Sequence, residues 1–575
     1  MIEDQKLKNL LLKDNLIDEE VLKIALKESQ KKQISLFYYL LDKNLVDTEV
    51  LFSQAAAFFK IPLINLKNES IRKDVLFLIP EPIAQTHEIV AFNQNEKGIS
   101  IATTDPTDLQ TIEFLRKKYD KNLIIHLTTP QSIRNALKQY HQSLEAEFED
   151  ISKSEIDLKE KGKDLEELAK DLPLIRIVDT LLEYAIFEEA SDIHIEPTEK
   201  HVIVRYRIDG LLKDVMTLPK TVQSGVVARI KVLSNLKLDE HRLPQDGRFK
   251  ISSPQYKVAF RVSVLPVFNG EKIVLRLLNE STKILSLEDL GFQKVALEIL
   301  KTNIKKPHGI ILVTGPTGSG KTTTLYTIMN ILNKPEVNIT TVEDPIEYRM
   351  PKINQSQINP KIDYTFATGL RAILRQDPNI IMVGEIRDKE TAEIAINAAM
   401  TGHLVLSTVH TNDVATTPQR LFNMGVQPFL VASTTILILA QRLIRKVCKN
   451  CMISYNLDKE IIDELNRHFN LKVLQQFLIS EGLISSQKDT FESILFYKGK
   501  GCKQCGQRGY KGRIGIYEVL EISPVIAELI ASHASSEEIQ KQAVADKMLT
   551  LTQDGFMKCI KGITTIEEVL RVTQE

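Results

Sequence analysis

Hydrophobic and polar positions divide the chain into regions of different period. Near the start, LKNLLLKDNLIDEEVLKIALKES from Leu7 echoes LFYYLLDKNLVDTEVLFSQAAAFF from Leu36. Each unit predicts a helix, a turn near Asn15 or Asn44, an N-cap at Asp18 or Asp47, and a second helix. From Ile71 to about Tyr140 helix and strand patterns mix, and ISIATTDPTD from Ile99 predicts a strand ending in a turn. Residues 143–170 are rich in Glu, Asp and Lys and predict a linker. LPLIRIVDTLLEYAIFEEA then restarts an amphipathic helix. Alternating segments follow, such as HVIVRYRIDG from His201 and YKVAFRVSVL from Tyr256, and predict the strands of a second domain.

After about Leu290 strand, loop and helix alternate. GIILVT precedes a glycine-rich loop and TTTLYTIMNILN follows it, while NITTV, NIIMV and LVLSTV are further short apolar runs rich in β-branched residues. This pattern predicts a parallel sheet covered by helices. The longest apolar stretch, about Gly425 to Ala440, is broken by Gln427, Ser433, Thr434 and Thr435. It falls short of the roughly 20 residues of a membrane span and reads as a buried helix.

The length of 575 residues exceeds what one core can organise, since cores stop growing at roughly 250–300 residues, so three or four domains are expected. Lys plus Arg number 74 against 75 Asp plus Glu, so no global basic field draws the chain onto nucleic acid. The opening residues MIEDQKLKNLLLKDN carry charge throughout and do not form the apolar run of a signal peptide. A cytoplasmic location is expected, with recruitment as the route to any membrane role.

Candidate chemistry centres on GPTGSGKT: Gly315, Pro316, Thr317, Gly318, Ser319, Gly320, Lys321 and Thr322. With a strand before it and a helix after it, this run fits a Walker A phosphate-binding loop. Lys321 is expected on the β- and γ-phosphates, Thr322 on Mg²⁺, and Thr323 beside them. Backbone N–H groups and the helix N-terminus should supply the rest of the anion site. TVEDPIEY places Glu343, Asp344 and Glu347 where a strand should end; a solvated acidic turn is the plainer reading, and the position between two nucleotide motifs favours function. NIIMVGEIRD places Glu385 at the tip of a buried strand, a Walker B arrangement able to bind Mg²⁺ or orient water. His403 and His410 flank LVLSTV and suggest sensing of the γ-phosphate. Arg205 and Arg207 in RYRIDG, with Arg242 and Arg248 in RLPQDGR, offer guanidinium forks for phosphate oxygens, although ordinary salt bridges have the same spacing.

Of five cysteines, Cys448 and Cys451 form one CxxC pair, Cys502 and Cys505 another, and Cys559 stands alone. Two pairs point to a closed four-thiolate zinc site with a structural role, with redox-active CxxC as the alternative. The gap between the pairs is longer than in a compact zinc ribbon.

GPTGSGKT, TVEDPIEY, GEIRD and GHLVLSTVHTND, followed by four cysteines, together resemble the type II/type IV secretion ATPase superfamily. The particular likeness is to pilus assembly (PilB-type) and type II secretion (GspE-type) ATPases. SDIHIEPTEKHVIVRYRIDG, RLPQDGRF and RVSVLPVFNGEK are similar to the family's middle domain, and GCKQCGQRGYKGRIGIYEVL to its zinc-bearing segment. The resemblance implies an α/β fold. Its parts are an N-terminal MshEN-like helical and α+β domain (1–142), a linker (143–172), a PAS-like middle domain (173–285) and a RecA-like P-loop ATPase domain (286–575). That last domain includes the zinc segment at 445–515. It implies ATP, Mg²⁺ and structural Zn²⁺ as cofactors, with Glu385 and Glu343 activating water and Arg205 and Arg207 assisting.

It also implies a homohexamer, peripheral at the inner membrane, that turns an inner-membrane platform protein (PilC/GspF-type) to add pilins. Retraction ATPases generally lack both the long N-terminal region and the four cysteines, so assembly is favoured, with type II secretion as the alternative. A DNA-translocating motor and a non-hydrolysing scaffold are the readings from other classes. The N-terminal repeat resembles a cyclic di-GMP domain whose pattern begins Arg-Leu-Gly, has a later Gly and ends in Gln. Here the units carry Lys6-Leu7-Lys8, Asn15 and Ser29, and Ser35-Leu36-Phe37, Asn44 and Phe58. The fold is therefore expected without binding of that nucleotide, and docking to the membrane platform complex is the expected role.

Overall fold

The computed structural model describes all residues except 1, 3, 14–15, 33–34, 68, 120–121, 138, 141–171, 253–256, 280–284, 485–490, 503–504 and 574–575. The expected linker at 143–170 and the turn at Asn15 lie outside the described residues. The chain divides into two units, Met1–Ser281 and Thr282–Glu575.

In the first unit the repeat appears as helices α1 (Asp4–Lys13), α2 (Glu19–Lys32), α3 (Leu36–Asp42) and α4 (Thr48–Phe59). Leu7 and Leu36, Leu11 and Leu40, and Leu22 and Leu51 share one buried cluster. Fully burying each such side chain stabilises by roughly 1.5–3 kcal/mol, which is why the apolar frame of the repeat holds its register. Asp47 caps α4 by accepting from the N–H groups of Glu49 and Val50. A three-stranded sheet follows: β1 (Ile89–Asn95), β2 (Gly98–Thr103) and β3 (Leu123–Leu127).

Helix α5 (Leu172–Phe187) opens the next layer. Strands β4 (Asp192–Pro197), β5 (His201–Ile208), β6 (Leu211–Pro219), β7 (Gln245–Ser252), β8 (Lys257–Val267) and β9 (Gly270–Asn279) form an antiparallel sheet in the order β6-β5-β4-β9-β8-β7. Alternation along β5 sends Val202, Val204, Tyr206 and Ile208 into the core with α5 and helix α6 (Gln223–Leu233), and leaves Arg205 and Arg207 on the opposite face.

The second unit holds a seven-stranded sheet in the order β12-β11-β13-β14-β10-β15-β18. Its strands are β10 (Gly309–Thr314), β11 (Ile339–Glu343), β12 (Asn354–Gln357), β13 (Ile380–Val383), β14 (Leu404–Val409), β15 (Thr435–Val447) and β18 (Tyr510–Glu521). All pairings are parallel except β15 with β18. Ile310, Leu312, Ile381 and Val405 enter a core on one face, and Ile311, Val313, Met382 and Leu406 a core on the other. Coverage of both faces makes these strands continuous apolar runs.

The stretch 425–440 departs from the expected single buried helix. Only Pro428–Thr434 is helical, and Thr435 begins the long strand β15. The β-branched run Thr434, Thr435, Ile436 and Ile438 favours extended backbone once a neighbouring strand is available.

Between the cysteine pairs, β16 (Met452–Tyr455) and β17 (Phe496–Gly499) pair antiparallel, Met452 opposite Gly499. This ladder closes the long gap and returns the chain to where it left. Among the described residues no helix is long and apolar enough to cross a membrane.

Candidate nucleotide and metal sites

Parallel strands deliver their C-terminal tips to one edge of the sheet, and the polar motifs lie there. The glycine loop leaves β10 and enters helix α7 (Lys321–Leu332). Gly315 and Gly320 have φ of 143° and 90°. A Cβ on Gly315 would lie 2.5 Å from the Gln441 carbonyl oxygen, and one on Gly320 2.7 Å from Gln441 Nε2. Only glycine fits this close approach. Lys321 Nζ donates to the carbonyls of Gly315 (2.8 Å) and Pro316 (3.1 Å), curled back over its own loop. Burial, with the nearby Arg442 charge, pushes the Lys321 amine down to about 8, against the opposing field of Glu385. Pro316, Thr317 and Gly318 are exposed, Ser319 is buried, and Thr322 and Thr323 begin the helix.

Glu385 follows β13. Its Oε1 lies 2.6 Å from Arg387 and its Oε2 3.1 Å from His410 Nε2. Its backbone is fixed to the next strand by Ile386 N–H donating to the Thr408 carbonyl and Thr408 Oγ1 donating to that of Gly384. Glu343 ends β11 and is buried. Thr341 Oγ1 donates to its Oε1 at 2.5 Å, Gln355 Nε2 to the same oxygen at 3.1 Å, and the Tyr326 hydroxyl of α7 to its Oε2. Burial raises the Glu343 carboxyl above its ordinary value, and the three donors oppose that rise. The two glutamates therefore differ. Glu385 stands at the strand tips beside Arg387 and His410, while Glu343 is clasped by donors and tied to the helix that follows the loop. Tyr326 and Gln355 had no sequence signal, being a tyrosine inside a helix and a glutamine on a short edge strand.

The two histidines do not share a site. His410 follows Val409, which pairs with Thr314 just before the loop; His403 precedes Leu404, which pairs with Gly309 at the other end of β10. A six-residue strand separates them, roughly 20 Å at 3.3 Å per residue. His403 Nδ1 instead lies 2.9 Å from the Ala398 carbonyl. The expectation that both sense one γ-phosphate is corrected for His403, because spacing across a strand places its two flanks at opposite ends of the strand; of the two, His410 stands beside Glu385.

Arg205 and Arg207 lie on β5 in the first unit. Arg205 pairs with Glu196 at 2.6 Å; Arg207 lies 3.4 Å from Asp192 and donates to the Gly210 carbonyl at 3.0 Å. Arg242 is exposed and its N–H donates to Glu240; Arg248 is exposed on β7.

The sulfurs of Cys448, Cys451, Cys502 and Cys505 lie within 4.8 Å of one another. Three pairs stand at 3.8, 3.9 and 3.7 Å. Four thiolates about 2.3 Å from one zinc ion would be roughly 3.8 Å apart, so the donor set fits. Burial pushes the Cys505 thiol up, and the N–H groups of Cys502 and Gly509, at 3.2 and 3.3 Å from its sulfur, together with the Cys502 and Cys451 side chains, lower it. Cys559 is buried in a separate apolar cluster.

The family described as type II/IV secretion system protein matches residues 167–571. The chain belongs to this family.

Its Walker A loop, the acidic strand tips and the family together make it an ATPase with a RecA-like domain. The MshEN domain matches residues 59–147, beginning where the helical repeat ends. The chain is 40% identical over 573 residues to the type IV pilus assembly ATPase PilB of Myxococcus xanthus, covering 98% of each. It is 45% identical over 413 residues to the type II secretion system protein E of Pseudomonas aeruginosa, covering 72% of this chain and 78% of the relative. The structure of the Yersinia pseudotuberculosis ATPase DotB superposes with a TM-score of 0.51 at 22% identity, covering 70% of this chain and 93% of that one, a likeness of fold alone.

Proposed function

We propose that this member of the family is the ATP-driven motor of type IV pilus assembly. The observation that carries the reading is identity of 40% along 98% of both chains with a pilus assembly ATPase, N-terminal region and cysteine segment included. It would act as a homohexamer at the cytoplasmic face of the inner membrane and turn a membrane platform protein. A second reading, type II secretion, draws on the higher identity, 45%, within the shared 413 residues. Deleting the gene in its own host separates them. The pilus reading expects loss of surface fibres with protein export intact, and intact fibres with failed export would overturn it.

At the site, Lys321 is proposed to leave the Gly315 and Pro316 carbonyls for the β- and γ-phosphates. Thr322 and Glu385 are the residues that would hold Mg²⁺, which neutralises phosphate charge. Glu385, with His410 at 3.1 Å, is placed to orient the attacking water, and Glu343 assists by fixing the neighbouring strand tip to α7. Arg205 and Arg207 are proposed to meet phosphate oxygens. In support, Arg207, Asp192, Arg276, Arg261 and Arg248 face one another in a single cross-strand row, four arginines to one carboxylate. The four cysteines are proposed to hold zinc; their near-equal spacing favours this over disulfide exchange. Cyclic di-GMP is not among the proposed ligands: Ser29, at the final position of the first unit, is buried with its hydroxyl on the Leu26 carbonyl.

A further inference from the structure

Gln441 and Arg442 end the most apolar part of β15, and no motif accounts for them. Gln441 is 1% exposed and Arg442 6%. Thr314 pairs with Ala440, so the next residue on each strand brings Gln441 beside Gly315. Its contacts reach two points of the phosphate loop and one of the helix after it. Its carbonyl oxygen backs Gly315, its Nε2 backs Gly320, and its Oε1 accepts from Thr324 Oγ1 in the first turn of α7 at 2.8 Å. One residue therefore reaches both ends of the loop, through its carbonyl at Gly315 and its side chain at Gly320, and its side chain also holds the helix that follows.

Arg442 extends the contact sideways. One guanidinium nitrogen donates to the Gln441 carbonyl at 3.2 Å and another to Asn412 Oδ1 at 3.3 Å. Asn412 lies two residues beyond His410. The same short segment is fastened to β10, where Thr411 N–H donates to Thr314 Oγ1 at 2.9 Å and Thr314 Oγ1 to the Thr411 carbonyl at 2.8 Å. Burying an amide and a guanidinium in mid-strand is costly unless their partners repay the desolvation, and these partners are the loop and the segment carrying His410.

We propose that Gln441 and Arg442 are positioning residues for ATP hydrolysis. Gln441 sets the width of the phosphate loop, and Arg442 locks the His410 segment to it, so that the phosphates and the Glu385–His410 pair keep one relative geometry. The inference rests on the nucleotide reading above and deepens it. Neither residue needs to touch the reacting atoms. Their effect on rate passes through the loop and through His410, where misplacement of about 1 Å can cost on the order of 10²-fold.

The test uses the full chain and the variants Gln441→Met, Thr324→Val, Arg442→Gln and Arg442→Lys, with binding of a fluorescent ATP analogue and steady-state hydrolysis. Gln441→Met should weaken binding about tenfold or more, and Thr324→Val should weaken it in the same direction by less. Arg442→Gln should lower kcat about tenfold or more while changing KM less than about threefold. Arg442→Lys should restore kcat only in part, since an ammonium keeps the charge and loses the fork. Unchanged binding by Gln441→Met, or kcat and KM of Arg442→Gln both within twofold of wild type, overturns the inference. So does a loss in every variant that matches only a lower folded fraction by calorimetry. Absence of analogue binding by the wild-type chain sinks the nucleotide reading itself, a separable outcome.

Discussion

The two large sheets place charge differently. In the six-stranded antiparallel sheet, charges lie along the strands on one face and each of two carboxylates meets two cations: Asp192 contacts Arg207 and Arg276, and Glu196 contacts Arg205 and Lys272. In the seven-stranded sheet the central strands β10, β13 and β14 are largely apolar on both faces, and Lys321, Glu343, Glu385 and His410 gather at the strand tips. A carboxylate that meets two cations keeps a partner when one of them is removed. Groups converging at tips have no substitutes, because each arrives on a different strand or helix. Substitution should therefore cost activity at the tips and little stability on the antiparallel face.

The largest effect expected is for Glu385→Gln. Hydrolysis should fall about 10²- to 10⁴-fold with ATP binding kept, measured by phosphate release and by analogue binding. Retained turnover would break the contrast at its sharpest point. Cys448→Ser should lose the metal, by elemental analysis, and lower the melting temperature by on the order of 10 °C. A metal-free wild type with reduced cysteines would contradict the zinc assignment.

Glu518 sharpens the contrast from inside the parallel sheet. It lies on β18, accepting from the N–H groups of Val414 (3.4 Å) and Leu551 (3.2 Å), and burial pushes its carboxyl up to about 7 from 4.5. Asp413 adds to the rise and Arg442 opposes it. The folded chain therefore binds this proton more tightly than the unfolded one. The stability it contributes is present below about pH 4.5 and is lost as pH rises through 7, by at most about 3 kcal/mol. Glu518→Gln should melt higher than wild type at pH 8, with the difference shrinking by pH 5. The smallest effect on stability is expected for Arg207→Ala, about 1 kcal/mol or less, since Arg276 remains 3.0 Å from Asp192. A fall in hydrolysis beyond that loss would mark Arg207 as a phosphate contact.

Much of this was legible in the sequence, and the exceptions have physical causes. GIILVT, NIIMV and LVLSTV read as buried strands because helices cover both faces of their sheet, and GPTGSGKT gave its loop because its glycines are sterically required. Alternation in HVIVRYRIDG likewise identified the one-sided sheet. Residues 425–440 misled because a short apolar run has no period to separate helix from strand. His403 misled because spacing counts residues and takes no account of strand direction. Tyr326, Gln355 and Gln441 were missed because each acts only through partners distant in sequence: Tyr326 and Gln355 on Glu343, and Gln441 on Thr324.

The most direct measurement is single-turnover release of γ-phosphate from ATP by the purified full chain and by Lys321→Ala under identical magnesium. Lys321 Nζ now rests on the Gly315 and Pro316 carbonyls and is the cation placed to take the phosphates in their stead. The account predicts release by the wild type and, for Lys321→Ala, a rate at least about a hundredfold lower. Equal rates in the two proteins would contradict it.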